Sequence, residues 1–136
     1  MPLNIVLVML GGAAGSLMRY LLGRWTAGAW SALSAPYNQW PLGTFVANVS
    51  GGLIMGVLMA LLLGPLKGAF DTERARLLLG VGLLGGFTTF SSFSLETVQM
   101  LERRAYALAG FYVGLSVVLS VAAVALGMII VRKVAA

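Results

Sequence analysis

LGGFTTFSSFSLE, residues 84–96, lies in the most apolar part of the chain, yet it carries two glycines, two threonines, three serines and three phenylalanines. Glycine gives up the most backbone freedom on entering a helix, and threonine is stiff and competes for backbone carbonyls. Gly85, Gly86, Thr88 and Thr89 therefore predict an interruption inside a helical run. In lipid, backbone groups released in this way must be buried in protein or must line a site. Interrupted helices at mid-membrane usually mean ions, because freed carbonyls hold cations and exposed amide ends attract anions.

The surrounding chain supports a membrane setting for that segment. Of 136 residues, 60% are hydrophobic and only 10% are charged, with a mean hydropathy of +0.96, far from the balance of soluble domains. Four apolar stretches, 3–24, 40–63, 76–100 and 106–131, are each near or above the roughly 20 residues a helix needs to cross a bilayer core. The reading is an all-α, polytopic membrane protein of one domain, residues 1–136, with the third of its four spans broken at mid-membrane. The first stretch is taken as a span rather than a secretory signal, since no basic residue precedes it. Without cysteine there are no disulfides or thiolate metal sites, and without histidine the commonest near-neutral proton carrier is missing.

The net charge of +5 does not point to nucleic acid, because the cations lie singly or in pairs at helix ends, where they anchor to headgroups. Lys67, Arg74, Arg76, Arg132 and Lys133 fall on one side of the four-span layout, and Arg19, Arg24, Arg103 and Arg104 on the other. Five against four gives the positive-inside rule little to act on. Such a chain either takes one orientation from a small bias or inserts both ways round, which permits an antiparallel pair. Between the first two spans, Trp25, Trp30, Tyr37 and Trp40 suit an interfacial belt, with Pro36 and Pro41 framing the start of the second span. Asp71 or Thr72 is the expected cap of the third.

Inside the spans, Gly11, Gly12 and Gly15, Gly52 and Gly56, and Gly82 and Gly86 form small-residue patterns that let helix backbones approach. Arg19 either snorkels to the interface or serves the site. Asn48 either bonds a neighbouring helix or offers two N–H donors without a positive charge, which can hold an anion without trapping it. Phe90 and Phe93, three apart, share a helical face, and a phenyl ring is positive at its edge. Ordinary helix packing is the competing account of that pair. Tyr112, Ser116 and Ser120 repeat at i, i+4, i+8 and could pass a desolvated ion along one face.

With GGAAGSLMRY (11–20), GTFVANVSGG (43–52) and above all GFTTFSSFSLE (86–96), the chain resembles the small bacterial fluoride channels called Fluc or CrcB over nearly its whole length. The resemblance implies an antiparallel, dual-topology homodimer with two pores in the bacterial plasma (inner) membrane. It implies a structural sodium ion at the dimer interface, held by backbone carbonyls of Gly85 and Thr88 from each subunit. Phe90, Phe93 and Ser91 match the family's pore lining, Asn48 its pore asparagine, and Arg19 its first-helix arginine. Tyr112, Ser116 and Ser120 look like its polar track, an alignment that rests on spacing. Glu96 matches an acidic residue of the ion pathway, although a plain solvated carboxylate is the alternative there. The implied function is passive, selective fluoride conduction that protects the cell from the ion.

Two other classes compete. A small proton-coupled four-helix exporter needs an ionisable group that cycles, and Glu96 is the sole acid within an apolar stretch. A packing scaffold would use the glycines and phenylalanines only as spacers. An enzyme is not expected, since no nucleophile, base and metal-ligand set converges.

Overall fold

A computed structural model describes residues 1–33 and 40–135. Pro36 and Tyr37 of the expected interfacial belt lie outside the described residues, as does the side chain of Trp30. Among the described residues the chain is all-helical. Helix α1 spans Pro2–Leu33 and α2 spans Leu42–Leu63. The third run has two parts. Helix α3, residues 72–87, joins an α-helical start at Thr72–Ala75, a wide π-helical stretch at Arg76–Leu84 and a last turn at Gly85–Phe87. Helix α4 follows at Phe90–Glu102, and α5 spans Tyr106–Val134. Four runs, Pro2–Ala29, Leu42–Leu63, Thr72–Glu102 and Tyr106–Val134, are long and apolar enough to cross a membrane.

Helix α1 continues past the end expected near residue 24. Ala27, Ala29 and Ala32 favour helix, and Thr26, which is buried, bonds back to the carbonyls of Leu22 (2.8 Å) and Gly23 (3.1 Å) instead of starting a turn. At the start of α3, Asp71 is the cap, accepting from the Arg74 N–H at 3.0 Å. The ion pairs Arg74–Asp71 (2.9 Å) and Arg76–Glu73 (2.8 Å) are exposed and of little weight for stability.

Packing follows the glycines. Helix α1 lies along α3, and α2 along α5. A Cβ on Gly11 would meet the Leu78 carbonyl, and one on Gly82 would stand 2.9 Å from the Gly11 Cα. Between α2 and α5, a Cβ on Gly56 would meet the Val124 carbonyl, and one on Gly127 the Leu53 carbonyl. These small residues bring helices of one chain backbone to backbone, which supplies in lipid the packing that water exclusion cannot.

Helix α4 closes on an arginine in the left-handed region, Arg104 at φ 59°. Its N–H donates to the Leu101 carbonyl and the Ala105 N–H to the Met100 carbonyl, each at 2.9 Å, a paired closure that favours glycine at this position. Arg104→Gly is expected to stabilise the protein by about 1 kcal/mol. A rise in the unfolding midpoint of the detergent-solubilised protein checks this; an unchanged or lower midpoint contradicts it.

Candidate functional site

Between α3 and α4 the backbone is extended for two residues, Thr88 (φ −79°, ψ 158°) and Thr89 (φ −155°, ψ 121°). Side chains take up the backbone groups released there. The Leu84 carbonyl keeps its helical donor, the Thr88 N–H (2.9 Å), and accepts from Thr88 Oγ1 as well (2.8 Å). Thr89 Oγ1 accepts from the Ser92 N–H at 3.2 Å and so caps α4. Asn48 of α2 pairs twice with Thr89: the Thr89 N–H donates to Oδ1 at 2.8 Å, and Nδ2 donates to the Thr89 carbonyl at 3.0 Å. Arg19 Nε of α1 donates to the Gly86 carbonyl at 3.1 Å. In a continuous helix the Gly85 carbonyl would accept from Thr89 and the Thr88 carbonyl from Ser92. Both N–H groups go elsewhere, so these two carbonyls lose their helical donors.

Beside the interruption lies a cleft of ≈ 330 Å³ lined by Asn48, Thr88, Thr89, Phe90, Phe93, Ser116, Val117, Ser120 and Val121. Phe93 is buried and Phe90 is 78% exposed, with ring centroids 5.6 Å apart and planes tilted by 43°. Ser116 is 4% exposed, and its Oγ has no hydrogen-bond partner among the described residues. Buried hydroxyls are normally satisfied. This hydroxyl belongs to a residue on the wall of the cleft and has its hydrogen-bonding capacity unspent.

Glu96 sits apart from this cleft. It is half-buried and accepts from Thr44 Oγ1 at 2.6 Å and from the Tyr112 hydroxyl at 2.7 Å, so both its oxygens are occupied. With Thr44, Thr26 and Trp40 it lines a second cleft of ≈ 250 Å³. Tyr112 is fully buried between the rings of Trp40 (5.2 Å, edge-on) and Phe93 (5.3 Å). The hydroxyl series expected along α5 is thus divided. Ser116 and Ser120 line the first cleft, whereas Tyr112 points its proton at the carboxylate beside the second.

Of the sequence-selected residues, Asn48, Phe90, Phe93, Ser116, Ser120 and Thr88 meet at one cleft. Arg19 and Gly85 lie by the interruption outside its lining, and exposed Ser91 keeps its Oγ 3.2 Å from Thr89 Oγ1. Thr44 was not singled out from the sequence, and Thr89 only as part of the helix-weakening stretch, not as a residue of the cleft lining. Thr44 stands four residues before Asn48, a helical spacing that puts the two on one face of α2 and was the available signal. No group of three or more His, Cys, Asp or Glu side chains gathers among the described residues. The donors suited to a cation are carbonyls: Gly85 is exposed and Thr88 half-buried, and neutral oxygens suit a hard ion.

The profile of the family described as "CrcB-like protein, Camphor Resistance (CrcB)" matches residues 6–128. A protein of Caulobacter sp. (strain K31) named "Fluoride-specific ion channel FluC" is 51% identical over 131 residues, 96% of each chain. Proteins of the same name from Phenylobacterium zucineum and Agrobacterium fabrum are 48% and 43% identical, covering 96% of this chain and 96% and 98% of theirs.

Proposed function

The chain belongs to the CrcB family, and from that premise we propose that it is a fluoride-selective channel through which the ion leaves the cell down its electrochemical gradient, limiting fluoride toxicity. It is a multi-pass membrane protein, and its relatives are named as ion channels rather than enzymes. The working unit in this proposal is an antiparallel, dual-topology homodimer in the bacterial inner membrane. Each of its two pores runs past the interruption of the third span at mid-membrane.

The observation that carries the reading is the Ser116 hydroxyl, unpartnered among the described residues, on a cleft edged by Phe90 and Phe93. Fluoride is small and strongly hydrated, so a pore must replace its water with donors or meet a desolvation penalty of several kcal/mol. Neutral donors do this without trapping the ion. The Ser116 and Ser120 hydroxyls, the free Asn48 N–H and the positive ring edges of Phe90 and Phe93 are the proposed replacements. Ser91, Tyr112, Glu96 and Arg19 are proposed to serve the approaches. A sodium ion at the dimer centre would be held by the Gly85 and Thr88 carbonyls of each subunit, which lack their helical donors; bound there, it supplies a fixed positive charge beside the pores.

Ser116→Ala separates function from stability. Removing an unsatisfied buried hydroxyl is expected to stabilise the fold by about 1 kcal/mol, while fluoride flux falls by about tenfold. A destabilised protein with full flux contradicts both halves. Glu96, half-buried between two hydroxyls, is the one feature that favours a proton-coupled exporter instead. Fluoride efflux from proteoliposomes, timed with and without a proton gradient, tests the choice: a channel follows voltage and ignores the gradient.

A further inference from the structure

Asn48 spends most of its hydrogen-bonding capacity on one backbone residue. Its Oδ1 takes the Thr89 N–H (2.8 Å) and one Nδ2 hydrogen goes to the Thr89 carbonyl (3.0 Å), so a single N–H remains for the cleft. The reciprocal pairing also fixes which amide atom is which. Two further contacts show α2 built to hold this spot. Three residues on, and so on the same face, Gly51 is buried, and a Cβ there would strike Thr88 Cγ2 and stand 3.3 Å from the Phe87 ring. That close approach is what lets a side chain as short as asparagine reach the interruption. One turn earlier, Thr44 holds Glu96 of α4 at 2.6 Å, so α2 ties down α4 near its start and again two turns along.

We propose that Asn48 is a positioning residue. It takes over the backbone pairing that the third run gives up at Thr89. By keeping the Thr89 N–H, it denies the Gly85 carbonyl its helical donor and fixes the pose of the next residue, Phe90. Without Asn48, Thr89 N–H is free to return to the Gly85 carbonyl, and the two extended residues lose their tie to α2. Arg19 does the corresponding service from α1 by occupying the Gly86 carbonyl. The pairing itself stands on hydrogen bonds; only its effect on flux rests on the channel reading.

Amide exchange at Thr89, followed by nuclear magnetic resonance of the full chain in lipid nanodiscs without fluoride, tests this. In the natural protein the Thr89 amide is expected to be as protected as the amides within α4. In Asn48→Ala it should exchange at least about tenfold faster, with α5 amides unchanged. In Asn48→Asp, which keeps the volume and the acceptor, it should stay within about threefold of the natural protein. Unchanged Thr89 exchange in Asn48→Ala means that the asparagine serves only an anion, and overturns the proposal. A tenfold rise in folded Asn48→Asp overturns it equally, which decides the matter even if the alanine variant does not fold. Absence of fluoride flux with the expected exchange pattern would instead sink the channel reading and leave the positioning role standing.

Discussion

Phe90→Ile is expected to cut fluoride efflux from proteoliposomes by at least about a hundredfold while the purified protein stays folded. The Phe90 ring lines the cleft beside the interruption, is 78% exposed in the chain and lies with its centroid 5.6 Å from that of Phe93. Its loss therefore removes little of the core. Isoleucine keeps an apolar side chain at the position and removes the ring edge, whose positive potential is the feature a bare anion can use. An unmatched, desolvated ion costs several kcal/mol, and each 1.36 kcal/mol on a barrier is tenfold in rate. Size-exclusion profile and helical circular dichroism should match the natural protein. Flux within a factor of three of the natural rate removes the ring edge from the mechanism.

Gly15→Val should abolish the fold, a larger effect than any change in the cleft lining. A Cβ on Gly15 would meet the Leu83 carbonyl and stand 2.8 Å from the Phe87 N–H nitrogen. Those contacts are backbone, not the yielding end of a side chain, so the helices must part. Overpacking costs about 1–3 kcal/mol where neighbours can shift and more where they cannot. Separating α1 from α3 would also draw Arg19 Nε away from the Gly86 carbonyl. No monodisperse protein is expected after detergent extraction. Gly110→Ala is the control, since nothing lies within 4 Å of a Cβ there. Normal yield and melting of Gly15→Val would show that α1 does not pack as described.

The four membrane-length helices were legible in the sequence because apolar length is a property of composition alone. The low helical preference of Gly85, Gly86, Thr88 and Thr89 pointed to the place where the backbone becomes extended. What answers the freed groups was less legible. That Asn48 would pair with Thr89, or Arg19 with Gly86, depends on which helices become neighbours, and a single chain does not display that. The π-helical stretch at Arg76–Leu84, RLLLGVGLL, was read only as part of an apolar span. Tyr112 shows the limit of spacing arguments. It shares a helical face with Ser116 and Ser120, yet its hydroxyl is claimed by Glu96, sixteen residues away on another helix. Spacing puts side chains on a face, but a neighbouring acceptor decides where their protons go.

Purified protein reconstituted into liposomes, with fluoride and chloride efflux compared under a potassium-driven voltage, tests the central claim most directly. A channel of this kind predicts rapid fluoride efflux that follows the voltage, is indifferent to an imposed proton gradient, and is not matched by chloride. Equal passage of the two halides, or fluoride movement that requires the proton gradient, would contradict it.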